Sequence, residues 1–341
     1  MPKISVIIPA YNVEKYVEKT LKSLINQTFK DFEAIIINDG STDNTEKIIK
    51  EVLQNANFQW KLINQENQGV SAARNRGIIE SKGEYLCFLD ADDYYHESFF
   101  EKMHNKAKEN DADIVFCNYS DVNEKGRKLS IFKKQNEYIT NSLTGEEALY
   151  LILSKKIDVP MGVAIYKRML LIENHIFFIK GSRLGEDTEF NIKAFSHAKL
   201  VNSISETLMF YVKRKSSATN KEHDLSVFHS QASLRRSLAY LERTNSKNLK
   251  LINLVKEEIL RKNLHDLFHL YRSSKIDNET MEKILQNKVI KSNLNKLKIN
   301  ELTTSEKFGF FLIKYCPLKL RTVIKYFSNL FYKIYKYKSY R

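Results

Sequence analysis

Three carboxylates fall within four residues at Asp90-Ala91-Asp92-Asp93, directly after the apolar run 85–89. Carboxylates this close repel one another unless a cation or solvent lies among them. Hard oxygen ligands at a strand end suit Mg2+ or Mn2+ carrying a diphosphate. The same run also reads as a solvated loop in which Asp92 or Asp93 caps the next helix. A second acidic pair, Gly185-Glu186-Asp187, opens a helical stretch, where the positive end of the helix favours acids. Lys213, Arg214 and Lys215 follow the strand-like segment 208–212. That basic cluster could close over a diphosphate, or stand as a solvated charge run. His265 and His269 imitate a two-histidine zinc helix, but no third ligand is apparent and Leu260, Leu264, Leu267, Phe268 and Tyr271 already define an apolar helical face there.

These residues need a frame. Short apolar runs at 4–8, 34–37, 60–63, 85–89 and 114–119 alternate with helical spacing at 14–25, after Thr42 or Asp43, at 70–79 and at 99–108. The alternation predicts βαβ units: a largely parallel sheet with helices on both faces. Ligands on such sheets bind beyond the carboxyl ends of the strands. The polar segments 9–12, 38–41 and 90–93 all fall there. Residues 121–220 are less regular, with a helix expected at 145–153 after Thr144, a strand at 163–166, a helix from 185–187 and a strand at 201–211. Beyond about 224 the pattern is helical throughout. A boundary is expected in the polar run near 216–224, dividing the chain into 1–220 and a helical 221–341.

Five segments, in order, resemble the family 2 glycosyltransferases. They are Ile4-Ser5-Val6-Ile7-Ile8-Pro9-Ala10-Tyr11-Asn12, Asn38-Asp39-Gly40-Ser41-Thr42-Asp43, Asn67-Gln68-Gly69-Val70-Ser71-Ala72-Ala73-Arg74-Asn75, Phe88-Leu89-Asp90-Ala91-Asp92-Asp93 and Gly185-Glu186-Asp187. The resemblance covers about residues 1–215. It implies an α/β fold of the GT-A, nucleotide-sugar-binding (Rossmann-like) type, with a donor site in 1–120 and an acceptor and base region in 121–220. It implies that Pro9, Tyr11 and Asp39 hold the nucleoside of a UDP-sugar, with Asp39 accepting from the uracil imide and Tyr11 packing on base or ribose. Arg74, Ala91 and Arg214 would line the donor, Arg74 near the diphosphate. Asp90 would contact ribose or metal, and Asp92 would bind Mn2+ or Mg2+ directly. Glu186-Asp187 resembles the pair that carries the general base, with Asp187 first and Glu186 second. An inverting transfer needs such a carboxylate to take the acceptor hydroxyl proton. One departure is visible: Asn38 stands where the family often has a first acid.

Composition narrows the rest. The chain has 341 residues, 43% hydrophobic and 28% charged, which is globular. Three cysteines, Cys87, Cys117 and Cys316, do not make a disulfide framework. The first apolar run is too short for a signal peptide and no transmembrane run is expected. Net charge is +14, and residues 221–341 carry all of the excess, with 25 Lys and Arg against 11 Asp and Glu. Between Phe308 and Tyr340 eleven Phe or Tyr interleave with lysines, and Leu320, Val323, Ile324, Phe327, Leu330, Phe331 and Ile334 recur at helical spacing. A basic, aromatic amphipathic helix of this kind suits an anionic membrane surface, or packs on the protein itself. The expectation is a cytoplasmic enzyme peripherally bound to the inner face of the membrane through 305–341, acting on a glycan or lipid-linked acceptor in bacterial surface polysaccharide synthesis. A nucleic-acid binder is disfavoured because it leaves the acidic motifs unexplained. A sugar-phosphate nucleotidyltransferase would carry a Gly-rich basic loop where this chain has Pro9-Ala10-Tyr11-Asn12.

Overall fold

The computed structural model describes residues 1–129, 141–214, 224–245 and 247–321. The first half alternates strand and helix: β1 (Ile4–Ala10), α1 (Val17–Ile25), β2 (Phe32–Asp39), α2 (Thr45–Leu53), β3 (Gln59–Gln65), α3 (Val70–Glu80), β4 (Tyr85–Phe88), β5 (Tyr94–Tyr95), α4 (Phe99–Glu109) and β6 (Ile114–Asn123). Then come α5 (Gly145–Leu153), β7 (Ala164–Lys167), α6 (Arg168–Glu173), α7 (Glu186–His197) and β8 (Val201–Lys213). The described remainder holds α8 (Val227–Thr244), α9 (Leu249–Arg272), α10 (Asn278–Gln286), α11 (Lys288–Lys296) and α12 (Thr304–Tyr315). Among the described residues no helix is long and apolar enough to cross a membrane.

One eight-stranded sheet runs in the order β3-β2-β1-β4-β7-β6-β8-β5. It is mixed, which corrects the expectation of a largely parallel sheet. β1, β2, β3 and β4 are parallel, and β6 is parallel to β8. β7 lies between β4 and β6 antiparallel to both, and β5 is antiparallel to β8. The apolar run of β7 announces a buried strand but not its direction. Ala164, Ile165 and Tyr166 are fully buried either way.

α3 is the element that matters most to the site. It has no clean amphipathic stripe, because Ser71–Asn75, Gly77 and Ile78 are all buried. A Cβ on Gly77 would sit 2.2 Å from Ile7 Cγ2, so only glycine lets the helix press this close to β1. On its other side, Asn75 Nδ2 donates to the Phe178 carbonyl while its Oδ1 accepts from the Phe178 N–H, each at 2.8 Å.

The helices after β8 join the first core and then extend it. Leu234, Leu241, Leu251, Ile252, Val255 and Ile259 belong to the same apolar cluster as the sheet. The far half of α9 packs a second cluster with Met281, Ile290, Leu294, Phe310 and Ile313. The first part of the tail is therefore core on one side. Residues 322–341, which carry most of the expected amphipathic repeat, lie outside the described residues, as does Lys215.

Candidate active site

The carboxyl ends of β1 and β2 are stitched together. Asn12 sits in the left-handed region at φ +50, and its Oδ1 accepts from the Thr42 N–H at 2.8 Å. Asn12 N–H donates to Ser41 Oγ, and Val13 N–H donates to Thr45 Oγ1. α2 starts at Thr45 with Asn44 at its N-cap position, rather than Thr42 or Asp43, and Asp43 accepts from the Thr45 and Glu14 N–H groups. Tyr11, between these turns, is half exposed. Asp39 is buried and holds the loop into α3: Oδ1 accepts from Gln65 Nε2 at 2.7 Å and Gln68 N–H at 2.9 Å, and Oδ2 accepts from Gly69 N–H at 2.8 Å. Among the described residues no second donor reaches Oδ2, which keeps one lone pair. Asn38, in place of the expected acid, faces β3, where its Nδ2 donates to Asn64 Oδ1, and it accepts from Ser41 N–H. A second carboxylate here would lose the donation to Asn64.

Arg74 is the hub. Its side chain is 3% exposed, with Nη1 2.5 Å from Asp187 Oδ1, Nη2 2.9 Å from Asp90 Oδ1, and Glu186 3.9 Å away. One guanidinium thus joins the loop after β4 to the start of α7. It is held over the Phe178 ring, 5.2 Å from the centroid. Among the described residues no donor reaches the second oxygen of Asp187, whose side chain is 41% exposed. Beside this cluster Arg214 is ion-paired with Asp92 and lies over the Tyr16 ring, 4.7 Å from its centroid. Ala91 is buried beneath the loop, and Pro9 is partly buried at the end of β1.

Neither Asp92 nor Asp93 caps α4, which starts at Phe99. Asp93 is buried instead, and its Oδ1 accepts from Val212 N–H at 2.8 Å. That bond pins the end of β8 to the acidic loop and delivers Arg214 to Asp92.

The electrostatics follow from burying more acid than base. Burial, then Asp187, pushes the Glu186 carboxyl up to about 7. Burial, then Asp90, pushes Asp92 up to about 6 against the pull of Arg214. Burial also raises Asp187, against the pull of Arg74. Among the described residues no three His, Cys, Asp or Glu side chains gather into a cage for a metal ion. His265 and His269 lie with Nε2 atoms 3.1 Å apart on the surface of α9.

The residues singled out from sequence therefore converge. Arg74, Asp90, Glu186 and Asp187 share one cluster, Asp92 pairs with Arg214, and Pro9, Tyr11 and Asp39 lie at the adjoining strand ends. Sequence reasoning missed Asn75, Gln65, Tyr16 and the bond from Asp93. Each acts through a partner far away in the chain, and only the Arg74-Asn75 pairing within the motif hinted at any of them.

The fold resembles the first 349 residues of S. aureus TarS, solved in complex with UDP-GlcNAc. The TM-score is 0.65 at 20% identity, covering 95% of this chain and 89% of that one. EpsJ, an uncharacterized glycosyltransferase of Bacillus subtilis, is 31% identical over 220 residues, which are 64% of this chain and 63% of EpsJ. EpsH of the same organism is 30% identical over 247 residues, 72% of this chain and 70% of EpsH. The family model described as glycosyl transferase family 2 matches residues 5–173. With that match and the relation to EpsH, the chain belongs to glycosyl transferase family 2.

Proposed function

We propose that this protein is an inverting glycosyltransferase that moves a sugar from a UDP-sugar to a hydroxyl of a glycan or lipid-linked acceptor. The observation that carries the reading is the Arg74 hub, which fixes a donor-side acid, Asp90, and a base-side acid, Asp187, on one buried cation. The remaining lone pair of Asp39 takes the uracil imide N–H, and Tyr11 packs on the base or ribose beside Pro9. Arg74 serves the donor through Asp90, since its guanidinium is already engaged by carboxylates. Asp90, Ala91 and Arg214 border the diphosphate.

Asp90 and Asp92 fit a divalent cation by their chemistry: two hard carboxylates side by side, with Asp92 raised by burial and then by Asp90. Mg2+ and Mn2+ are commonly held by one or two carboxylates, with phosphate oxygens and water completing the shell. When bound, the ion neutralises charge developing on the leaving diphosphate. In the transfer, the acceptor oxygen bonds to the anomeric carbon as the bond to the diphosphate breaks. The open oxygen of Asp187 takes the acceptor proton. Glu186, 14% exposed and raised to about 7, is the second candidate for that role.

Asp187→Asn tests the base. The variant keeps its size and its contact with Arg74 but not its basicity. Transfer is expected to fall roughly 10²–10⁴-fold while UDP affinity holds. Near wild-type transfer would move the base elsewhere, Glu186 first.

We also place the protein at an anionic membrane surface. α12 buries Phe310, Leu312 and Ile313, yet leaves Phe308, Phe311 and Tyr315 about half exposed on its other side. Lys307, Lys314 and Lys319 flank them, the pairing of aromatic and basic residues that interfacial helices use.

A further inference from the structure

The geometry points to Arg236, on α8 of the C-terminal helical region, as a positioning residue for the acidic pair, with Ser233 beside it. The inference rests on the reading of Asp187 as the base. Gly185, which precedes the pair, adopts φ +81, and a Cβ there would stand 2.9 Å from Ser230 Cα on α8. The backbone is therefore left-handed and pressed against a neighbouring helix at the residue that launches α7. The same face of α8 grips the chain on both sides of that residue. Before it, His229 Nδ1 accepts from Arg183 N–H at 3.2 Å and Ser233 Oγ donates to the Leu184 carbonyl at 3.3 Å.

After it, Arg236 forks onto Glu189, with Nε at 2.9 Å and Nη2 at 2.7 Å from Oε2. Glu189 is 3% exposed, and its other oxygen accepts from Lys193 Nζ at 2.8 Å. Arg236 also donates to Ser233 Oγ at 2.9 Å, which ties the two grips together. Glu189 lies two residues beyond Asp187 in the first turn of α7. Its place sets the rotation of that turn, and so where the open oxygen of Asp187 points.

Arg74 holds Asp187 from the donor side, and the fork of Arg236 holds the same turn from behind. Among the described residues the side-chain partners of Arg236 and Glu189 are Ser233, Lys193 and each other, with no hydrogen bond or ion pair to the donor loops after β1, β2 or β4. Loosening the fork should therefore disturb proton transfer and spare donor binding. A misplacement of about 1 Å at a reacting group can cost about 10²-fold in rate.

The test compares Arg236→Ala, Arg236→Lys and Ser233→Ala with Asp187→Asn, each in the full-length protein. It measures transfer kcat, donor KM, UDP affinity and the pH profile of kcat/KM. Arg236→Ala is expected to lower kcat roughly 10–100-fold with donor KM and UDP affinity within about twofold, and to move the acidic limb of the profile. Arg236→Lys should recover part of the loss, because it restores the charge without the fork. Ser233→Ala, a milder change, should give a smaller loss of the same kind, and keeps the test open if Arg236→Ala does not fold. If Asp187→Asn abolishes transfer while the Arg236 and Ser233 variants keep wild-type kcat and pH profile, the positioning role is overturned. If Asp187→Asn itself transfers normally, the base assignment fails instead.

Discussion

Glu186→Gln should stabilise the ligand-free protein, and by more as pH rises. Burial, with Asp187 next to it, moves the Glu186 carboxyl from its ordinary 4.5 to about 7. At about 1.4 kcal/mol per tenfold change in proton affinity, this is on the order of 3 kcal/mol. The sign follows from proton counting. Between 4.5 and about 7 the folded protein keeps a proton that the unfolded chain has released. Stability that is fully present below the unfolded value is therefore lost as pH rises through the folded one. Gln is close in size to the protonated acid and does not titrate. Relative to wild type, the variant should gain roughly 1 kcal/mol at pH 5 and roughly 3 kcal/mol at pH 8. At about 2 °C per kcal/mol for a chain of this size, the gap in Tm grows from roughly 2 °C to roughly 6 °C. Asp92, also raised, titrates in both proteins and cancels in the difference. Thermal unfolding of both proteins in EDTA at several pH values measures the gap. A gap that stays constant from pH 5 to pH 8 refutes the placement of a buried, charge-crowded carboxyl at Glu186.

Asp92→Ala should abolish the Mn2+-dependent part of UDP affinity and leave the fold intact, since it removes a carboxylate ligand at the site that is no part of the apolar core; calorimetry with and without Mn2+ reads the difference. Replacing Phe308, Phe311 and Tyr315 together by Ser should release the protein from anionic vesicles without unfolding it, because none of the three lies in the core. Full burial of an aromatic is worth roughly 1.5–3 kcal/mol and about half of each ring is still exposed, so the three together are worth at most roughly 10²–10³-fold in partition, and equal pelleting of both proteins would rule out α12 as the contact. Arg321→Ala should open the end of α9. The guanidinium donates to the carbonyls of Leu270, Tyr271, Ser273 and Ile276 at 2.5–2.9 Å. Leaving several of these unpaired costs about 1–3 kcal/mol each, which should show as a lower Tm and new protease cleavage near residue 273.

What the sequence determined by itself is local. Runs of four to six mostly apolar residues closed by polar turns marked β1, β2, β4 and β6, and Thr144 marked the start of α5. The acidic loop and the Glu186-Asp187 pair were legible because their residue types are costly to bury and sit at strand or helix ends, and Arg74 was legible only through the resemblance of the segment 67–75. The direction of β7 was not legible, because a fully buried strand reads the same either way. Nor was the hub. Arg74 and Asp187 are 113 residues apart, and no periodicity links them. Only the packing of α3 between β1 and Phe178 brings the guanidinium to both acids. The fork from Arg236 to Glu189 belongs to the same class: each residue alone looks like a solvated charge on an amphipathic helix. Tertiary structure decided their meaning by removing water from between them, and a charge in that setting must find its partner wherever the chain has placed one.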